Sequence, residues 1–242
     1  MLLFVCIFIL AILFAVVFKK PLKRFAWIFY VLALVLDTLA LLSYTMTFPR
    51  PFQMLLLYPL QRCFFAFAFF AIVMFIGVFN NKSRIRAYFM PIRAELSILA
   101  CFFALPHIVR SLNNFAPMFF TNTAPLAIPT YVSLVLALII TALMLVLGIT
   151  SFKVIREKIL AATWKRIQRL AYFFFLFIYV HIGLVLLPSA LKGGVDALES
   201  VIVYSIIFLL YSVSRIRKAL NDRSVVLEHD QNKGLEDSNL PA

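Results

Sequence analysis

Gln168-Arg-Leu-Ala-Tyr-Phe-Phe-Phe-Leu-Phe-Ile-Tyr-Val-His181-Ile-Gly-Leu-Val-Leu-Leu-Pro-Ser-Ala190 is the stretch that decides the fold. It carries one formal charge, Arg169 at its start, and one imidazole, His181, well inside an apolar run. A helix crossing a hydrocarbon core about 30 Å thick needs about 20 such residues. Six other stretches read the same way, at 2–18, 25–47, 63–80, 94–112, 130–152 and 198–216. The expected architecture is therefore an all-α, polytopic membrane helical bundle of seven transmembrane helices. Composition agrees: 64% of the 242 residues are apolar, against roughly 45–50% in soluble domains.

Charge sets the expected orientation. The 23 Lys and Arg give a net charge of +13, but 19 of them fall in alternate connections. Lys19, Lys20, Lys23 and Arg24 follow the first stretch; Lys82, Arg84, Arg86 and Arg93 follow the third. Six lie between Lys153 and Arg169, and five between Arg215 and Lys233. The other connections hold Arg50, Arg62, Arg110 and Lys192. By the positive-inside rule the 19 face the cytoplasm, which puts the N-terminus outside and the C-terminus inside. This pattern reads as topology and anionic-lipid contact rather than nucleic-acid binding. The first stretch has no basic residues before it and no small-residue cleavage site, so it reads as a retained helix rather than a signal peptide. The expected location is a plasma (cytoplasmic) membrane.

Residues 48–62 and 113–129, rich in Pro, Asn and aromatic side chains, read as outer connections that anchor at the interface or form a lid. Residues 219–242 are polar, hold half of the acidic residues and His229, and read as a disordered cytoplasmic tail. Cys6, Cys63 and Cys101 show neither metal spacing nor a disulfide pattern. There is no glycine-rich phosphate loop and no internal repeat.

Glu95, near the inner end of its stretch, reads as a partner for Arg93, and Trp164 as an interfacial anchor. Three ionisable residues deep inside apolar runs remain: His107, His181 and Asp37. Such groups are costly in hydrocarbon and point to function by default. Counted from the basic ends of their helices, His107, His181 and Asp37 lie about 18, 20 and 18 Å deep at 1.5 Å per residue. Two imidazoles at matched depth on different helices are a candidate ligand pair for a b-type haem. Phe177, Ile178, Leu184 and Val185 surround His181 with an apolar wall suited to a porphyrin face. Arg110, one turn beyond His107, is a candidate partner for a haem propionate. Asp37 can orient a ligand imidazole through Nδ1–H, relay protons, pair with Arg110, or make a structural interhelical bond. The competing reading of the histidines is helix–helix hydrogen bonding.

The segment Ile149-Thr-Ser-Phe-Lys-Val-Ile-Arg156, continuing through Thr163-Trp-Lys-Arg-Ile-Gln-Arg-Leu-Ala-Tyr172 to Ile178-Tyr-Val-His-Ile182, resembles the ferric reductase-like transmembrane domain family. That family includes the haem-binding membrane subunit of the bacterial periplasmic methionine sulfoxide reductase system. Met90-Pro-Ile-Arg-Ala-Glu-Leu-Ser97, leading to His107, is similar to the family's other haem-ligand helix. The resemblance covers roughly residues 60–216. It divides the chain into two N-terminal helices (1–59), a ferric reductase-like domain (60–218) and the tail (219–242).

The resemblance implies His107 and His181 as axial ligands and metal-binding residues. Family members often carry a second, inner haem. The equivalent positions here are Arg93 or Ala94 and Ile167 or Gln168, none of them histidine. One haem near the outer face is therefore expected, in an electron-transfer subunit of a bacterial oxidoreductase without catalytic residues of its own. It would pass electrons to an outer-face acceptor or partner reductase. A haem so far from the cytoplasm is better placed for a quinone or an outer flavoprotein as donor, although a flavin bound among the inner basic loops would reopen a cytosolic route. The alternative is a haem-free membrane transporter or assembly protein with a buried Asp/His polar network. The missing second histidine pair favours it; the lack of Gly/Pro-rich broken helix pairs counts against it.

Overall fold

A computed structural model describes residues 1–121 and 128–238; the side chains of 116, 118–121 and 225–238 also lie outside the described residues. Every regular element among them is helical. Seven longer helices, α1 (Leu2–Val17), α2 (Ala26–Leu42), α3 (Phe64–Ile76), α4 (Arg93–Thr121), α5 (Ile128–Ile149), α6 (Ala171–Leu191) and α7 (Val195–Ser238), each overlap one of the seven apolar stretches. Fewer qualify as spans by length and composition. Arg84–Phe115, Ile128–Ile149, Ala161–Leu191 and Val195–Ser224 do, and a fifth arises if Arg50–Gln61 and Phe64–Ile76, which meet at 53°, count as one broken span. The 16-residue α1 and 17-residue α2 are apolar but shorter.

Three connections differ from expectation. Residues 50–61 are not a loop but two short α-helical pieces around a π-helical turn, Gln53–Leu57. The first part of the expected outer connection 113–129 continues α4 as far as Thr121, despite Pro106 and Pro117 within the helix; residues 122–127 lie outside the described residues. Where a disordered tail was expected from residue 219, α7 runs on to Ser238. The ion pair Lys218–Asp222, one turn apart at 4.0 Å, lies across this extension. His229 falls where side chains are not described.

The core is organised around α3. Residues 66–74 and Ile76 are all buried, so this helix is enclosed on every side. Alternating Phe and Ala allow this, because the alanines let neighbouring helices approach and the rings fill the space between them. α1 and α4 pack on α3; α2 packs on α4, and α5 packs on α4 and α6. α6 also packs on α7. The phenyl ring of Phe67 stacks on Phe175 at 6.2 Å and meets Tyr204 edge-on at 4.9 Å, so one residue of α3 ties α6 and α7 together. The outer helices instead expose large apolar side chains, among them Leu138, Leu176 and Ile206.

Cross-chain contacts sort the helix termini into two ends. At one, the N-terminal ammonium lies 3.5 Å from Glu199, so α1 and α7 begin together. At the other, Tyr88 Oη donates to Val16 O, Lys19 sits 3.6 Å above the Tyr88 ring, and Arg86 and Lys218 both donate to Phe79 O. The basic clusters that alternate in sequence thus gather at one end of the bundle.

α4 and α5 approach closely at Gly148. A Cβ built there would lie 2.8 Å from Cys101 Sγ. Small residues at such crossings let helix backbones approach. Gly148→Leu should therefore lower stability by about 1–3 kcal/mol through overpacking, read as a drop in the heat-unfolding midpoint in detergent. Cys101→Ala in the same chain should recover part of the loss.

Candidate functional site

The helix running from Arg50 breaks at Cys63, whose φ of 63° lies in the left-handed region. A break of this kind frees backbone groups that must find partners in apolar surroundings. Gln61 is the residue placed there. Its carbonyl oxygen accepts from His107 Nδ1 at 3.0 Å. Its side-chain amide donates to Ala40 O at 3.0 Å and Ser43 Oγ at 2.7 Å, at the end of α2. Its Oε1 accepts from Arg110 Nη1 at 3.1 Å, while the Arg110 guanidinium lies 5.2 Å from the Tyr44 ring centre. One glutamine thus joins α2, the broken helix and α4.

His181 is held in a parallel way from α5. Its Nδ1 lies 3.1 Å from Ser133 O and 3.0 Å from Ser133 Oγ. A carbonyl oxygen only accepts, so in the neutral ring each Nδ1 carries the proton and each Nε2 keeps its lone pair. The two histidines lie on different helices, α4 and α6, each with its Nδ1 tethered to a main-chain oxygen. An Nδ1–H held by a backbone carbonyl fixes the tautomer and ring orientation and makes Nε2 a better metal donor.

The other sequence candidates fall differently. Arg110 is at the site, engaged by Gln61 and Tyr44. Asp37 is buried at 3% exposure, and neither carboxylate oxygen has a hydrogen-bond partner among the described residues. It neither pairs with Arg110 nor orients an imidazole; main-chain oxygens of Gln61 and Ser133 perform the orienting role. Asp37 lies instead near Cys63, at the helix break. No group of three or more His, Cys, Asp or Glu suited to a metal ion occurs among the described residues, so a metal here would have the two imidazoles as its protein donors.

Gln61 and Ser133 were not singled out from sequence. Each is a polar residue in a mainly apolar segment, and each meets its histidine only across 46 or 48 residues of chain. Trp164, expected as an interfacial anchor, donates from Nε1 to Thr150 O at 3.0 Å, and Gln168 donates to Thr150 Oγ1 at 3.2 Å. Part of the Thr-Ser…Trp-Lys-Arg…Gln pattern thus forms a latch between the end of α5 and the Ala161–Gln168 helix. Glu95 does not pair with Arg93, which donates from Nε to Val73 O at 3.2 Å.

These are the features of an α-helical chain with several apolar helices of membrane-spanning length and a tethered histidine pair. No protein-family model matches the chain, and no solved structure matches it. An uncharacterized protein of Treponema pallidum (strain Nichols) is 38% identical over 171 residues, covering 69% of this chain and 46% of the relative. The chain thus spans just under half the length of the curated relative it matches.

Gln61→Leu keeps the carbonyl that holds His107 but leaves Ala40 O, Ser43 Oγ and Arg110 without their shared partner. The expected loss is about 1–3 kcal/mol, the usual range for stranded buried polar groups. It is measured as a lower unfolding midpoint, beside Ser43→Ala as a smaller perturbation of the same network.

Proposed function

We propose that this chain is an integral membrane protein of seven spans, N-terminus outside and C-terminus cytoplasmic, in which His107 and His181 hold one b-type haem. It serves as an electron-transfer subunit that passes electrons to an outer-face acceptor or partner reductase. The observation that carries this reading is the matched tethering of two imidazoles on different helices, each with Nε2 left free of a protein partner among the described residues. Two such nitrogens are the protein ligands of a six-coordinate haem.

The gathering of basic residues at one end supports the orientation. α1 and α2 measure about 24 and 26 Å at 1.5 Å per residue, and spans this short are accommodated by local bilayer thinning. Bound there, the haem supplies a one-electron couple. The chain's own residues hold the imidazoles at fixed angles, keep them neutral donors, and enclose them among apolar side chains. Arg110 adds positive charge beside His107, which favours the reduced state. A quinone or an outer flavoprotein is the donor class this depth favours, and plasma membrane of a bacterium the setting.

An oxidised and dithionite-reduced absorption spectrum of the purified chain tests the proposal. A six-coordinate b-haem signal is expected, lost in both His107→Ala and His181→Ala. A correctly folded protein that takes up no haem under adequate supply would sink the idea. Arg110→Gln should retain the signal but move the midpoint potential to lower values.

A second reading draws on the break at Cys63. A bent helix beside the buried Asp37, which has no hydrogen-bond partner among the described residues, is an arrangement found at ion sites of transporters, and it supplies the interruption that the glycine and proline pattern lacked. Asp37→Asn separates the two: the haem reading expects unchanged haem content, whereas a carrier would lose proton- or cation-coupled uptake in vesicles.

A further inference from the structure

The basic end of the bundle contains a cleft of about 270 Å³ at the ends of α3, α4, the Ala161–Gln168 helix and α6, beside the middle of α7. Four cations line it, Arg93, Lys165, Arg169 and Arg215, with the aromatic faces of Trp164 and Tyr172; among the described residues no carboxylate does. The position is built rather than incidental. Trp164 is fixed by its bond to Thr150 O, Arg93 by its Nε bond to Val73 O, and the Arg215 guanidinium lies 4.8 Å from the Tyr172 ring centre. None of the four takes part in a salt bridge among the described residues. Four like charges converging on one concavity repel one another unless an anion enters, and arginine's planar fork matches phosphate oxygens. Arg93 and Gln168 both line this cleft.

We propose that this cleft binds a phosphate group, with Arg93, Arg169, Lys165 and Arg215 as its charge partners and Trp164 and Tyr172 as its walls. Two sources share that chemistry. A basic pocket between helices at the cytoplasmic end of a membrane protein suits an anionic phospholipid headgroup, and the same cations would take a soluble phosphate ester. The proposal rests on the membrane reading only for the choice between these sources, and not on the haem.

The test uses the full-length chain in mild detergent. One arm titrates phosphatidylglycerol against phosphatidylcholine by native mass spectrometry. The other follows the unfolding temperature with added pyrophosphate. Lys165→Gln and Arg169→Gln are the main variants, because both side chains are exposed and their loss leaves the packing intact; Lys192→Gln, at the opposite end, is the control. Preferential phosphatidylglycerol binding that weakens about fivefold for each lost charge, with the control unchanged, supports a lipid headgroup. A pyrophosphate-induced rise in unfolding temperature that the two variants abolish supports a soluble ligand. Equal responses in wild type and both variants, or equal weakening in the Lys192→Gln control, would overturn the proposal.

Discussion

The constraint on which the rest depends is that a main-chain carbonyl in apolar surroundings must be hydrogen-bonded. At Cys63 the chain turns left-handed and the helix from Arg50 ends, so the carbonyl of Gln61 needs a partner from elsewhere. His107 meets that need through Nδ1. The same bond that satisfies the backbone fixes the imidazole's tautomer and leaves Nε2 without a hydrogen-bond partner among the described residues. On the other side Ser133 offers its carbonyl oxygen and hydroxyl to His181. A structural requirement and a chemical disposition are therefore met by the same two contacts.

Gln61 extends this economy. Its amide closes off the end of α2 through Ala40 O and Ser43 Oγ, and its Oε1 takes the Arg110 guanidinium. Arg110 is thereby a fixed positive charge beside His107 rather than a free side chain. Asp37 receives no such treatment, although it lies on α2 one turn before Ala40. It is buried with no hydrogen-bond partner among the described residues, so it does not hold the network together, and burying an unpaired charge is costly.

How much of this was legible follows from range. The seven helices were readable because an apolar run of about 20 residues is a local signal, and the alternation of basic clusters located the end where they gather. The helix break was not readable, since Tyr58-Pro-Leu-Gln-Arg-Cys63 has its proline before the break and no glycine at the left-handed position. Nor was the role of Gln61 or Ser133, because a polar residue acquires meaning only from the partner that the fold brings to it. His107 and His181 stood out because an imidazole in an apolar run is costly wherever it lands. Asp37 stood out for the same reason, but its expected partner was taken by Gln61. The Thr150–Trp164–Gln168 latch was visible as a pattern and not as a contact.

The two ends of the bundle are mechanically joined through the helices that carry the histidines. Arg93 and His107 lie 14 residues apart on α4, about 21 Å along its axis. Tyr172 at the cleft and His181 share α6 in the same way. Pro106, next to His107, has no N–H to offer the carbonyl of Phe102, so α4 has a natural point of bending just before its imidazole. The Trp164 latch and the Arg93–Val73 bond hold the cleft end of these helices in place.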